Sequence, residues 1–190
     1  MTTTTSKSAH LLCTARSLFE KEGFHATGID RILTEANVAK MTLYNNFGSK
    51  EQLIVAVLEE ASQAMIDRLE ATAIQASSDP YDQILAVFDA FGQWYTDPAF
   101  CGCMFQAAVA EFPDPDSAPA QAAREHHERL CNTFENLCTR AELRETRILA
   151  RQLALLASGA NCVARQARTR TPADDARSIV ELLLERNCRL

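Results

Sequence analysis

The stretch from Gly23 to Lys50, GFHATGIDRILTEANVAKMTLYNNFGSK, constrains the chain more than any other. It holds two short helical patterns with a tight break between them. Thr27 is placed to cap the first, and Asp30 brings negative charge into its first turn, where the helix dipole favours it. Ile29, Ile32, Leu33 and Ala36 recur at helical spacing and define one apolar face. The break falls at Ala36-Asn37, and Asn tolerates the left-handed conformation that ends one helix and turns the chain into another. A second short helix follows from Val38, with Leu43 and Phe47 as inward residues, and Gly48 stops it. Helix, short turn and helix match the helix-turn-helix pattern, whose second helix enters the DNA major groove.

The residues flanking this pattern narrow it further. Phe19-x-x-x-Gly23-Phe24-x-x-Thr27-Gly28-Ile29-x-x-Ile32 is followed by Val38-Ala39-Lys40-Met41-Thr42-Leu43-Tyr44-x-x-Phe47-Gly48-Ser49-Lys50-Glu51-x-Leu53. Together they resemble the amino-terminal domain of tetracycline-repressor (TetR) family regulators over roughly the first quarter of the chain. Two positions depart from that pattern: Asn37 stands where the family usually has Gly, and Gly28 where it usually has Ser or Thr. The resemblance implies that Thr42, Tyr44 and Lys50 bind backbone phosphate, and Thr27 is expected to add a phosphate contact at its helix start. Lys40, Met41, Asn45 and Asn46 complete the candidate DNA-binding set. Asn bonds adenine edges, Met and Thr meet thymine methyls, and Lys reaches a phosphate or a guanine edge. The competing reading of Asn45 and Asn46 is that they merely terminate a helix.

The net charge of −6 is at first sight wrong for a nucleic-acid binder. Residues 1–50 hold six Lys/Arg against four acids, a balance of +2, and the remaining residues hold thirteen against twenty-one, a balance of −8. A weakly basic head can approach phosphates while an acidic body is held away from them. With 47% apolar residues, six Gly and six Pro among 190 residues, the chain can bury a sizeable core. Long Ala/Leu/Glu/Arg-rich stretches without strand-type alternation predict an all-α protein of about nine helices. The expected division is a helix-turn-helix domain over 1–48, with 1–6 as a disordered arm, and a helical ligand-sensing and dimerisation domain over 49–190. No apolar run is long enough for a membrane span, no export signal is present, and seven Cys read as reduced thiols, so a cytoplasmic protein is expected.

Further along, Ser49 with Gln52 forms a capping box that starts a long helix. Phe88, Phe91, Trp94 and Tyr95, then Phe100, Met104 and Phe105, are candidates for an apolar ligand pocket, with Gln106, Asn161 and Gln166 as polar groups. The competing reading of the aromatic stripe is plain core. Leu149, Leu153, Leu156, Ala160 and Val163, with Ile179 and Leu183, form an apolar stripe on the last two helices. Paired across a two-fold axis, these helices would make a four-helix bundle and a homodimer.

Cys101 and Cys103 flank Gly102 at the head of a helix, a setting that can favour thiolate. They are candidate redox residues if they are not simply small packing groups, and no basic residue lies near them in sequence. Glu125-His126-His127-Glu128 lacks the Glu-x-x-His spacing of di-iron bundles, so a helical-bundle metalloenzyme is a remote alternative and no metal or cofactor is expected. What the chain as a whole predicts is a dimeric regulator binding palindromic double-stranded DNA, a repressor released by an unknown small-molecule effector. Its alternative is a repressor that senses oxidants or electrophiles through Cys101 and Cys103.

Overall fold

The computed structural model describes residues 7–188, so the expected arm at 1–6 lies outside the described residues. Among these the chain is all α-helical. Nine helices follow in order: α1 Lys7–Glu22, α2 Ile29–Ala36, α3 Lys40–Phe47, α4 Lys50–Ala76, α5 Pro80–Tyr95, α6 Met104–Glu111, α7 Ala118–Arg140, α8 Thr146–Ala167 and α9 Thr171–Asn187. The chain forms two compact units. One takes the residues up to Ser62 together with Met104–Glu125, and the other takes Gln63–Cys103 with the residues from His126 onward.

In the first unit, α1 buries Leu11, Ala15, Leu18 and Phe19. Gly23 ends that helix at φ +89°, and its N–H donates to the Phe19 carbonyl at 3.0 Å. The chain then folds Phe24 under Phe19, with ring centroids 5.2 Å apart. The break after α2 is the expected left-handed residue: Asn37 sits at φ 49°, ψ 48°, and the C-terminal carbonyls of α2 accept from the cap. Ser49 caps α4 as its sequence predicts, with the Gln52 N–H donating to its hydroxyl at 3.1 Å. Leu53, Ile54, Val57 and Leu58 of that helix are buried in turn.

The cap expected at Thr27 is not formed. The residue before α2 is Gly28, with no side-chain cap, because the Thr27 hydroxyl instead donates to the Gly23 carbonyl at 2.6 Å and the residue is 0% exposed. That bond closes the α1–α2 turn.

The second unit is organised around α5. Asp79 caps it by accepting from the Tyr81 N–H, and Pro80 occupies its first position. Phe88 stacks on Phe134 at 5.8 Å, inside a core shared with Leu149, Leu153, Ala157 and Val180. Asp89 of α5 pairs with Arg170 and Arg177 of α9, and these half-exposed pairs add orientation more than stability. Residues 141–145 connect α7 to α8, with Glu142 and Glu145 at positive φ and α8 starting at Thr146.

His126 of α7 is 6% exposed, and burial, then the nearby His127 and Arg129, push its pKa from 6.5 down to about 4. Between those values the unfolded chain holds more protons than the folded one, so stability rises with pH through the window and is lost as pH falls. Stability should drop by on the order of 2–3 kcal/mol from about pH 6.5 to about pH 4 on this account. Denaturant melts at a series of pH values check it: His126→Leu should flatten the slope in that window, and an unchanged slope would refute the assignment.

Candidate nucleic-acid interface

Helix α3 is held by one anchor. Leu43 is fully buried and Phe47 half-buried, while Lys40, Met41, Tyr44, Asn45 and Asn46 are exposed and Thr42 is intermediate. Met41 is 66% exposed and Tyr44 41%, large apolar surface on a short helix that nothing in its own unit covers. Met41 and Asn45 lie opposite Leu43, as about 100° per residue requires, with Tyr44 on the flank and Lys40 in the first turn of the helix. Asn46 donates its amide to the Thr42 carbonyl at 2.7 Å and so finishes the helix, whereas exposed Asn45 makes no such bond.

The head's charges are less available than a count suggests. Arg31 is paired with Glu35 at 2.6 Å and with Glu22 at 3.4 Å, and Arg16 with Glu20 and Glu60 at 3.1 and 3.3 Å. Lys40 remains exposed on α3. Lys50, half-buried at the start of α4, donates to the His25 carbonyl at 3.5 Å; burial lowers its pKa, and the Glu111 carboxylate partly offsets this. Thr27, expected to touch phosphate, is buried with its hydroxyl already used. The start of α2 beside it has no side-chain cap, which leaves backbone N–H groups open to an anion.

The other predicted positions divide between the two units. In the second, Phe88, Phe91, Tyr95 and Phe100 are buried, and Trp94 lies edge-on to Phe100 at 4.9 Å. Phe88, Phe91, Tyr95 and Phe100 all belong to the core of this unit, and Gln166 is exposed to solvent. The Tyr95 hydroxyl and the Asn161 side-chain oxygen are buried without hydrogen-bond partners. Met104 and Phe105, at the start of α6, are buried in the first unit, and Gln106 is half-buried there.

The C-x-C pair has a neighbour that sequence proximity hides. Arg165 of α8 packs over Gly102, so close that a Cβ there would lie 2.9 Å from its Cδ, and Gly102 itself sits at φ +100°. Cys101 is half-buried with its thiol donating to the Ala99 carbonyl, and Cys103 is buried.

The residues expected at a dimer interface divide between the core and the surface of their unit. Leu149, Leu153 and Ala160 are 1%, 0% and 7% exposed and belong to the core of their own chain. Leu156 and Leu183 are half-buried. Val163 and Ile179 are exposed as expected, joined by Ile148, Leu155 at 70% and Leu182 at 66%, with open space beside Gly159. The signal in the sequence was the second apolar stripe of α8, at 148, 155 and 163, more than one buried face needs. Among the described residues no three His, Cys, Asp or Glu side chains are grouped to hold a metal ion.

Comparison with known proteins agrees with this geometry. Residues 11–57 match the sequence pattern of "Bacterial regulatory proteins, tetR family". A TetR-family transcriptional regulator from Streptomyces coelicolor superimposes with a TM-score of 0.87 at 31% identity, covering 97% of each chain. The reduced form of Escherichia coli NemR gives a TM-score of 0.84 at 26% identity, over 93% of this chain and 95% of that one. Among curated proteins, the transcriptional activator FasR of Mycolicibacterium smegmatis is 33% identical over 81 residues, 43% of this chain and 36% of its own. The transcriptional repressor NemR of Escherichia coli is 32% identical over 106 residues, 55% of this chain and 53% of its own. The chain thus matches about a third to a half of the length of these two curated relatives. All of them are transcriptional regulators and none an enzyme.

The burial of Thr27 separates a folding role from a binding one. Thr27→Val keeps the shape and removes the bond to Gly23, and should lower stability by about 1 kcal/mol. Urea melts read this directly. An unchanged midpoint with weaker DNA binding would restore the phosphate role.

Proposed function

Because the chain belongs to the TetR family of DNA-binding transcriptional regulators, we propose that it works as a homodimeric repressor of a palindromic operator, released by a small-molecule effector. The observation that supports the DNA-binding part is the set of exposed residues on α3, Lys40, Met41, Tyr44 and Asn45, around a single buried Leu43. In this reading Asn45 and Met41 meet base edges in the major groove, Lys40 meets a phosphate or a guanine edge, and Tyr44, Thr42 and Lys50 bind phosphates. The uncapped start of α2 takes the phosphate first assigned to the Thr27 hydroxyl. With both arginines of the head paired to carboxylates, one head has little electrostatic grip, so useful affinity requires two.

The second head comes from a second copy joined through α8 and α9. Ile148, Leu155, Val163, Ile179 and Leu182 supply apolar area, and Gly159 allows close helix approach. The effector is assigned to the second unit, near Trp94, Tyr95, Phe100 and Asn161. The buried Tyr95 hydroxyl and Asn161 oxygen lack protein partners, and an effector carrying an acceptor and a donor would satisfy both. A second reading, thiol sensing by Cys101 and Cys103, draws on Arg165 beside Gly102, a basic neighbour of the segment that carries both cysteines. The reduced-form structure of NemR among the relatives is in keeping with it. Peroxide- or quinone-driven release from DNA that is lost on Cys101→Ser with Cys103→Ser would select the thiol reading, and release that persists would select the effector site.

Two measurements test the main proposal. Tyr44→Phe should weaken operator and random DNA alike, whereas Asn45→Ala should reduce the operator-to-random ratio by about 1–3 kcal/mol, as loss of a base contact requires. Titrations on both DNAs giving the reverse pattern would overturn the assignment. Leu155→Arg, at a site 70% exposed in the single chain, should leave the fold intact yet give monomers in sedimentation that lose operator binding. A variant that remains dimeric would remove α8 from the interface.

A further inference from the structure

The α1–α2 turn of the head holds a carboxylate that comes from far along the chain. Glu111, the last residue of α6, presents Oε1 to the Phe24 N–H at 3.1 Å and Oε2 to the His25 N–H at 2.6 Å. Two successive backbone N–H groups converging on one anion form a small backbone nest, and the hydrogen bonds are charge-assisted. Gly23 makes room for it: a Cβ there would stand 3.1 Å from Oε1. The main-chain carbonyl of Glu111 meets the His25 Nε2 at 2.7 Å, with the ring nitrogen as donor. Phe112, next in sequence, lies 4.7 Å from the His25 ring and 5.9 Å from Phe24. Side chain, main chain and following residue of the α6 terminus thus grip residues 23–25.

We propose that Glu111 is a positioning residue for operator binding: its carboxylate fastens α6 to the turn that aims α2 and seats Lys50. The inference rests on the DNA-binding reading above. Lys50 donates to the carbonyl of the same His25 whose N–H Glu111 holds, so the clamp stands one residue behind a phosphate contact. Thr27 closes the turn from its other side through Gly23. Helix α6 is eight residues long, about 12 Å. A hydrogen bond is lost over a fraction of an ångström to an ångström of stretch, so a small shift of α6 withdraws the carboxylate. The turn then loses its anion and the head its fixed aim. By linkage, operator DNA that requires the closed clamp must hold α6 in place equally strongly.

The test uses full-length wild type, Glu111→Ala and Glu111→Gln, with an operator selected from random duplexes by wild type. Amide exchange at Phe24 and His25 reads the clamp itself, and thermal melting reads the fold. In Glu111→Ala both amides should exchange about tenfold faster or more, operator affinity should fall about tenfold, and affinity for random DNA should fall less, by the share of the Lys50 phosphate contact alone, about threefold. The melting midpoint should move by no more than a few degrees, as for loss of a partly exposed contact. Glu111→Gln retains one acceptor oxygen and should lie between. Unchanged exchange, or unchanged operator affinity in a variant whose amides have opened, overturns the proposal. Operator and random affinity falling together with the midpoint also overturns it, since that is the result of a structural residue only. Should wild type select no operator at all, the DNA-binding reading fails, and with it the coupling, while exchange still decides whether the clamp exists.

Discussion

Two eight-residue helices cannot stand alone in water. Helix nucleation is costly, and a stretch as short as α2 or α3 does not recover it through its own hydrogen bonds. Everything that α3 presents to DNA therefore depends on burial of apolar residues beneath it: Leu43 from α3, Ile32, Leu33 and Ala36 from α2, and Leu11, Ala15 and Phe19 from α1. The first turns of α4 extend that small core through Leu53, Ile54, Val57 and Leu58. Since α3 is fixed by one fully buried side chain, its neighbours stay free to face outward, and this makes it a reading surface rather than a core helix.

The same economy governs the turns. A reading head needs its two short helices at a fixed angle, and α2 and α3 are separated by only Asn37, Val38 and Ala39. Asn37 takes the left-handed conformation at φ 49° that makes so short a connection possible. At the other end of α2 the angle is set by polar contacts: the Thr27 hydroxyl on Gly23 and the Glu111 carboxylate on Phe24 and His25. The apolar core explains why the head exists, and these bonds explain why it points one way.

The helix-turn-helix, the αL break at Asn37, the cap at Ser49 and the all-helical architecture were legible in the sequence because each is a local matter of spacing and capping. Thr27 misled for an instructive reason. A hydroxyl just before a helix is a good cap on local grounds, yet the turn behind it brings the Gly23 carbonyl within 2.6 Å and takes the bond first. Arg165 was invisible for the opposite reason, since it lies more than sixty residues from Gly102 in the chain and meets it only through folding. Periodicity found the apolar stripe of α8 at Leu149, Leu153 and Ala160 but gave no information on what covers it. The core of the same chain covers that stripe, and the neighbouring one, at Leu155 and Val163, is exposed.

That last distinction bears on how a helix can serve two partners. α8 carries apolar residues over more of its circumference than one packing face uses, and its small residues are distributed unequally between the two sides. Ala150, Ala154, Ala157 and Ala164 lie on the buried side, where they permit close approach within the unit. On the exposed side stands Gly159, with nothing within 4 Å of where a Cβ would be. Leu155 on that side, like Leu182 on α9, is large and solvent-facing, a cost in solubility that a chain carrying a net charge of −6 can tolerate. The inner face of this helix holds the fold, and in the proposed homodimer the outer face meets a second copy of the chain.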